Sequence, residues 1–296
     1  MSEIEMMRGL LRELMRRDGP QPTLEETRAQ YEAWGQSNPL PDGASEDRVT
    51  LGGVAAIRTS TPGARADAAL LYLHGGGYAI GSAAGHRHLA AHLGAAAAIQ
   101  AFTIDYRLAP ENPYPAAVDD AVAAYAALLA QGVAPQQMIV AGDSAGGGLT
   151  LALALALKAR GLPQPAGLFC ISPWADLTQT GTSYRVCAER DLLVTKEALD
   201  AWSGLYATTH DPRTPLISPV FGDYAGLAPI LIHVGADEVL LSDSIKVAEA
   251  AGLANVPVEL VVERDMQHVW HFMLGMLTQA RTSVAQAGAW MKARVA

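Results

Sequence analysis

Leu73-His74-Gly75-Gly76-Gly77-Tyr78, followed by Ile139-Val140-Ala141-Gly142-Asp143-Ser144-Ala145-Gly146-Gly147-Gly148, are the two stretches that decide the fold of this 296-residue chain. The second fits G-x-S-x-G, a sharp strand-to-helix turn that lifts a serine hydroxyl clear of a sheet, its glycines tolerating crowding that a Cβ would not. Its surroundings fit: an apolar, β-branched run, Met138 to Ala141, precedes it, and a helical stretch, Leu149 to Arg160, follows. The first is an H-G-G-G loop, whose backbone amides can meet a developing oxyanion.

Outward from these motifs, a hairpin-like pair (Arg48 to Leu51, Val54 to Arg58) comes first. Short apolar runs follow at Ala69 to Leu73, Ile99 to Tyr106, Met138 to Ala141, Gly167 to Ser172, Ile230 to Val234 and Val256 to Val262. Helical patterns separate most of them, so crossover connections and a mainly parallel sheet of about eight strands, covered by helices on both faces, are expected. In such sheets reactive groups gather beyond the carboxyl ends of the strands. His74, Ser144, Asp237 and His268 each fall just after an expected strand.

Two segments lie outside this alternation. Residues 2 to 18 place Ile4, Met7, Leu10, Leu11, Leu14 and Met15 at helical spacing, ending at Asp18-Gly19-Pro20, and a second helix is expected from Thr23. Between Trp174 and Ala228 there is no clear strand, and a helix from Thr195 to Tyr206 carries Leu199, Trp202, Leu205 and Tyr206 on one face. A connection this long in a compact fold is usually functional.

Composition narrows the partners. A formal charge of −9 gives no basic face for nucleic acid or an anionic membrane, and no run reaches the roughly 18 apolar residues needed to cross a bilayer. The acidic opening Met1-Ser2-Glu3-Ile4-Glu5 lacks the positive charge that begins a secretory signal, so a cytoplasmic location is expected. Cys170 and Cys187, the two cysteines, have no redox or metal spacing.

A serine hydroxyl needs an imidazole as base and a carboxylate to fix that imidazole's tautomer, in the chain order serine, acid, histidine. The acid must lie within His233-Val234-Gly235-Ala236-Asp237-Glu238-Val239-Leu240-Leu241-Ser242-Asp243. Asp237 leads, since it sits directly after the strand; Glu238 is expected to point the other way, and Asp243 to cap a helix. For the base only His268 and His271 follow, and His268 is favoured because it stands nearer the strand end. His86, His88 and His92 have spacings that could suggest a metal but read as a helix packed behind the glycine loop, so no metal is expected. His74 is expected to orient that loop. His210 and His233 read as structural.

The string His74-Gly75-Gly76-Gly77-Tyr78, Asp105-Tyr106-Arg107-Leu108-Ala109-Pro110-Glu111, Tyr114-Pro115-Ala116-Ala117 and Gly142-Asp143-Ser144-Ala145-Gly146-Gly147 resembles the bacterial hormone-sensitive-lipase family of esterases, a branch of the α/β-hydrolases. The resemblance runs from about residue 45 to 275. It implies Ser144 as nucleophile, Asp237 as acid and His268 as base. It further implies an oxyanion hole from the amides of Gly76, Gly77 and Ala145, with Gly75 shaping the loop. The implied organisation is a helical cap segment at 1–45, a hydrolase core at 46–182 and 216–296, and a second cap segment at 183–215. The family often has Asp-Pro where this chain has Asp237-Glu238. Asp105, Arg107 and Glu111 are expected to tie the loops beneath the site together, and Asp119 and Asp120 to face a helix dipole.

These readings converge on a serine carboxylesterase for short- to medium-chain esters, working through an acyl-enzyme without a cofactor. A lactone hydrolase with the same triad is the alternative; a non-catalytic ligand-binding member of the fold is disfavoured by the histidine at 268. A homodimer is possible in such a family.

Overall fold

The computed structural model describes residues 2–16 and 22–296. The end of the first helix expected at Asp18-Gly19-Pro20 lies outside the described residues. Among the described residues there are eight strands: β1 Ser45–Leu51, β2 Val54–Ser60, β3 Arg65–Leu73, β4 Ile99–Ile104, β5 Met138–Asp143, β6 Gly167–Ile171, β7 Ile230–Gly235 and β8 Val258–Glu263. They form one sheet in the order β1-β2-β4-β3-β5-β6-β7-β8. The β1–β2 and β2–β4 pairs are antiparallel and the remaining five are parallel. The first hairpin turns on Gly52 (φ 58°) and Gly53 (φ 88°), two consecutive left-handed residues of the kind a tight two-residue hairpin demands.

The helices are α1 Glu3–Met15, α2 Leu24–Gln36, α3 Ala83–Ala97, α4 Ala116–Ala130, α5 Ala145–Ala159, α6 Ser183–Val186, α7 Lys196–Ala207, α8 Leu241–Leu253 and α9 Thr278–Arg294. Both N-terminal helices begin in capping boxes, Ser2 with Glu5 and Thr23 with Glu26, which satisfy amides the first turn leaves without acceptors.

Alternation along the strands builds two cores at once. Leu71, Leu73, Val140, Cys170 and Ile232 face α4, α5 and α8, meeting Val118, Tyr125, Leu149, Leu153 and Val247. Leu70, Tyr72, Ile139, Ala141, Phe169 and Ile171 face α3 and α9, meeting Leu89, Leu93, Val284 and Met291. Period-two side chains that are apolar on both faces are what a covered parallel sheet requires. A third, smaller core joins Met7 and Leu11 of α1 to Met266, Trp270, Leu277 and Ala280, so α1 rests directly on the chain around residue 268. Among the described residues, no helix is long and apolar enough to cross a membrane.

β3 sends the chain to β4 on one side, while β5 leads away on the other. The crevice outside their carboxyl ends is therefore the switch point where α/β sheets bind ligands, and His74 and Ser144 follow β3 and β5 directly.

Candidate active site

Ser144 occupies φ 54°, ψ −121°, a conformation strained for any residue with a Cβ. It persists because both neighbouring elements fix it. Its amide donates to the Ile171 carbonyl at 2.8 Å, and its own carbonyl accepts from the amides of Gly148 at 3.0 Å and Trp174 at 2.9 Å. The turn also needs a close approach to β3: a Cβ added at Gly146 would lie 2.0 Å from the Leu73 carbonyl oxygen. Ala145 begins α5, so its amide has no acceptor within the helix.

The glycine loop is held from below. Asp143, fully buried beside the serine, accepts from the Tyr72 hydroxyl at 2.8 Å and from the Gly75 amide at 3.1 Å. That bond commits Gly75 to shaping the loop and leaves the amides of Gly76 and Gly77 as the next two in the turn. Burial pushes the Asp143 carboxyl up to about 6, against the opposing pull of the Tyr72 hydroxyl. The His74 ring bonds the Gly75 carbonyl through Nδ1 at 2.8 Å and stacks on Tyr106 at 4.1 Å. Burial holds it near 4, hence neutral at pH 7. The ring is thereby fixed between the glycine loop and Tyr106. From above, α7 closes on the same loop: Trp202 is so near that a Cβ at Gly77 would meet its ring at 2.9 Å, and Tyr206 stacks on Tyr78 at 3.8 Å.

The structure corrects the expected partner of His268. His268 donates from Nδ1 to Oε2 of Glu238 at 2.8 Å, not to Asp237. Glu238 does not continue the strand's alternation, because β7 ends at Gly235 and the chain turns, the Glu238 amide returning to the Gly235 carbonyl at 3.3 Å. The side chain thereby folds back over the strand end, where Oε1 accepts from the Gly235 amide at 2.6 Å and the Ser172 hydroxyl at 2.7 Å. Ser172 also accepts from the Val269 amide at 3.2 Å, so one hydroxyl ties the acid to the histidine loop. Asp237 points the other way, onto Arg8 at 2.7 Å and toward Arg190 at 3.7 Å. Asp243 is not a cap either: it is buried in the first turn of α8 and accepts from the amides of Ala175 and Asp176 and the hydroxyl of Tyr184.

With Nδ1 donating to a carboxylate, the lone pair of His268 lies on Nε2, the tautomer a general base needs. Burial pulls the imidazole down, but the hydrogen bond and charge of Glu238, with the charges of Asp191 and Asp143, outweigh it and raise the ring above its ordinary value. His271 lies elsewhere, in the short helical turn Trp270–Met273, its Nε2 3.1 Å from Nδ1 of His233, both rings buried. Burial keeps both low, that of His233 at about 4.

The remaining sequence candidates serve the frame. His86 and His88 are buried in α3, with His86 Nε2 3.7 Å from Asp143 Oδ2, an acidic neighbour that the sequence alone does not place there. Asp105, Arg107 and Glu111 do not pair with one another: Asp105 accepts from the Ala83 amide, Arg107 binds Asp120, and Glu111 binds Arg28 of α2. Asp120 is therefore an ion-pair partner rather than a dipole partner, while Asp119 stays in the first turn of α4 and binds Arg160. Arg28 also donates to the carbonyls of Ala79 and Ala109, seating α2 on the chain that leaves the glycine loop. Ser172 and Arg8 are the site residues that sequence reasoning misses. Ser172 carries a weak signal, as the residue directly after β6, the strand beside β5; Arg8 carries none.

A strained serine between strand and helix, an amide-rich loop beside it and a histidine backed by a buried carboxylate together define an α/β-hydrolase. Residues 70–272 match the model of a family described as having the alpha/beta hydrolase fold. The chain is 46% identical over 223 residues to an acetyl-hydrolase of Streptomyces hygroscopicus (75% of each chain), and 39% identical over 217 residues to an esterase of Acinetobacter venetianus (73% of this chain, 72% of the other). The crystal structure of a hormone-sensitive lipase from a metagenome library superposes with a TM-score of 0.96 at 43% identity, covering 100% of this chain and 99% of that one. The chain belongs to the bacterial hormone-sensitive-lipase family of α/β-hydrolases.

Proposed function

We propose that the chain is a serine carboxylesterase in which Ser144 is the nucleophile, His268 the base and Glu238 the orienting acid. His268 Nε2 takes the hydroxyl proton as Ser144 Oγ attacks an ester carbonyl. The amides of Gly76, Gly77 and Ala145 receive the negative charge on the carbonyl oxygen, each worth about 3–4 kcal/mol to the chemical step. Collapse expels the alcohol, which takes the proton from His268; water then enters by the same route and releases the acid. The observation that carries this reading is the 2.8 Å bond from His268 Nδ1 to a fully buried Glu238, a carboxylate that two further donors hold in place.

A short to medium acyl group is the preferred substrate. The contact of Trp202 with Gly77 narrows the space above the glycine loop, and the relative named an acetyl-hydrolase points the same way. The segment 183–215, through α7, and the N-terminal helices would act as the cap over that space.

The test is a panel of p-nitrophenyl esters from acetate to long chains, with small lactones, assayed on the wild type and Ser144→Ala. Turnover of the short esters by the wild type and its loss in the variant are expected; full activity in the variant would refute the assignment.

A further inference from the structure

Asp237 stands next to the acid yet does none of its work, and its partners reach across the whole chain. Nη2 of Arg8, on α1, donates both to Asp237 Oδ2 at 2.7 Å and to Asp265 Oδ1 at 3.2 Å. One nitrogen thereby bridges the loop that carries Glu238 and the loop that carries His268, each within three residues of the histidine–carboxylate pair. Gln267, adjacent to His268, adds a second tie, with its Nε2 3.4 Å from Asp237 Oδ2 and 2.9 Å from the Arg190 carbonyl. The apolar side of α1 is anchored at the same place, Met7 and Leu11 packing on Met266 and Trp270 at either side of His268. The two loops also need to meet closely, since a Cβ at Gly235 would lie 2.3 Å from the Met266 carbonyl oxygen.

Resting on the triad proposed above, we infer that Arg8 is a positioning residue: by bridging Asp237 and Asp265 it holds the acid and histidine loops in register, so docking of α1 sets the chemical step itself as well as covering the substrate. Two physical effects follow. Arg8 restrains the relative placement of Glu238 and His268, where small displacements cost rate steeply. It also sets one positive charge against two carboxylates on the loops that carry the histidine and its partner. The charged and titratable groups around His268 are Glu238 in contact, Asp191 from the loop after α6, Asp143 at the end of β5, Asp237 and Asp265 with Arg8, Arg190 and Arg264, and the neutral His233–His271 pair. Removing Arg8 takes one positive charge from these surroundings, which favours the imidazolium.

The experiment compares wild type, Arg8→Met, which keeps most of the aliphatic stem, and Arg8→Lys, with p-nitrophenyl acetate, a substrate too small to depend on a cap. For Arg8→Met kcat should fall by about 10-fold with KM within about 2-fold, and the acid limb of the kcat/KM profile should move to higher pH. Arg8→Lys should restore part of both, as it keeps the charge but not the planar fork. A variant with a lowered melting temperature but wild-type kcat and acid limb would show a merely structural tie and overturn the proposal. Should Arg8→Met not fold, Asp265→Asn removes one side of the bridge from the core and must lower kcat in the same way; unchanged kcat there overturns it equally. An inactive wild type, or an active Ser144→Ala, would instead sink the esterase reading, so the two failures are distinct.

Discussion

The two halves of the site are built by different means. The serine half, residues 74–78 and 142–148, is specified by backbone: a strained φ at Ser144, an amide committed at Gly75, and a carbonyl at Leu73 that leaves no room for a Cβ at Gly146. The histidine–carboxylate half, residues 235–238 and 265–269, is specified by side chains converging from distant segments, with Ser172 between the loops and Arg8 joined to Asp237 across 229 positions of sequence. Backbone demands leave a fixed spacing of glycines. Side-chain convergence leaves no local pattern at all.

The contrast can be broken at several points. Ser144→Ala should cost at least about 10⁴-fold in kcat on a short ester with the fold intact by circular dichroism, since the residues of a triad act as a unit. Gly146→Ala should act on stability as well as rate, because the added carbon meets the Leu73 oxygen at 2.0 Å. A loss of about 2–3 kcal/mol in urea unfolding, with reduced kcat, is expected, and a neutral result would show that the serine half tolerates more than its spacing implies. Next in size is the pH profile. His268 must be neutral to act as base and is raised above its ordinary value of about 6.5, so the acid limb of kcat/KM should fall above that pH and activity should be lost as pH drops through it. An acid limb below about 6 would contradict the environment described for the ring. The smallest effect is expected at the edge: Arg28→Met, which loses a partly exposed ion pair and two carbonyl contacts, should lower stability by about 1 kcal/mol, read as a melting-temperature shift.

The same division explains what could be read from the chain. Six of the eight strands are visible as short apolar runs, because a sheet covered on both faces leaves few polar interruptions, whereas the largely exposed β1 shows with β2 only as a hairpin-like pair. Their exact ends are not, as at Arg65, where β3 begins four residues before the apolar run. The turn at Ser144 and the glycine loop beside it are legible from motif and context, since each follows its strand directly. Asp237 misleads for a physical reason. Alternation assumes an extended chain, whereas the return of the Glu238 amide to Gly235 bends it, and the longer glutamate side chain then reaches the histidine. The ties of the first helix to the site could not be read at all, since an arginine on an amphipathic helix has many bland explanations and its partners lie more than 200 residues away.

The most direct test of the account sets the two neighbouring carboxylates against each other: kcat/KM for p-nitrophenyl acetate with Glu238→Gln and with Asp237→Asn. A fall of about 10³–10⁴-fold at 238 and of no more than about 10-fold at 237 is predicted, by analogy with loss of the orienting acid in another serine hydrolase. The reverse order, or equal and small losses at both positions, would contradict the pairing of His268 with Glu238 on which the mechanism stands.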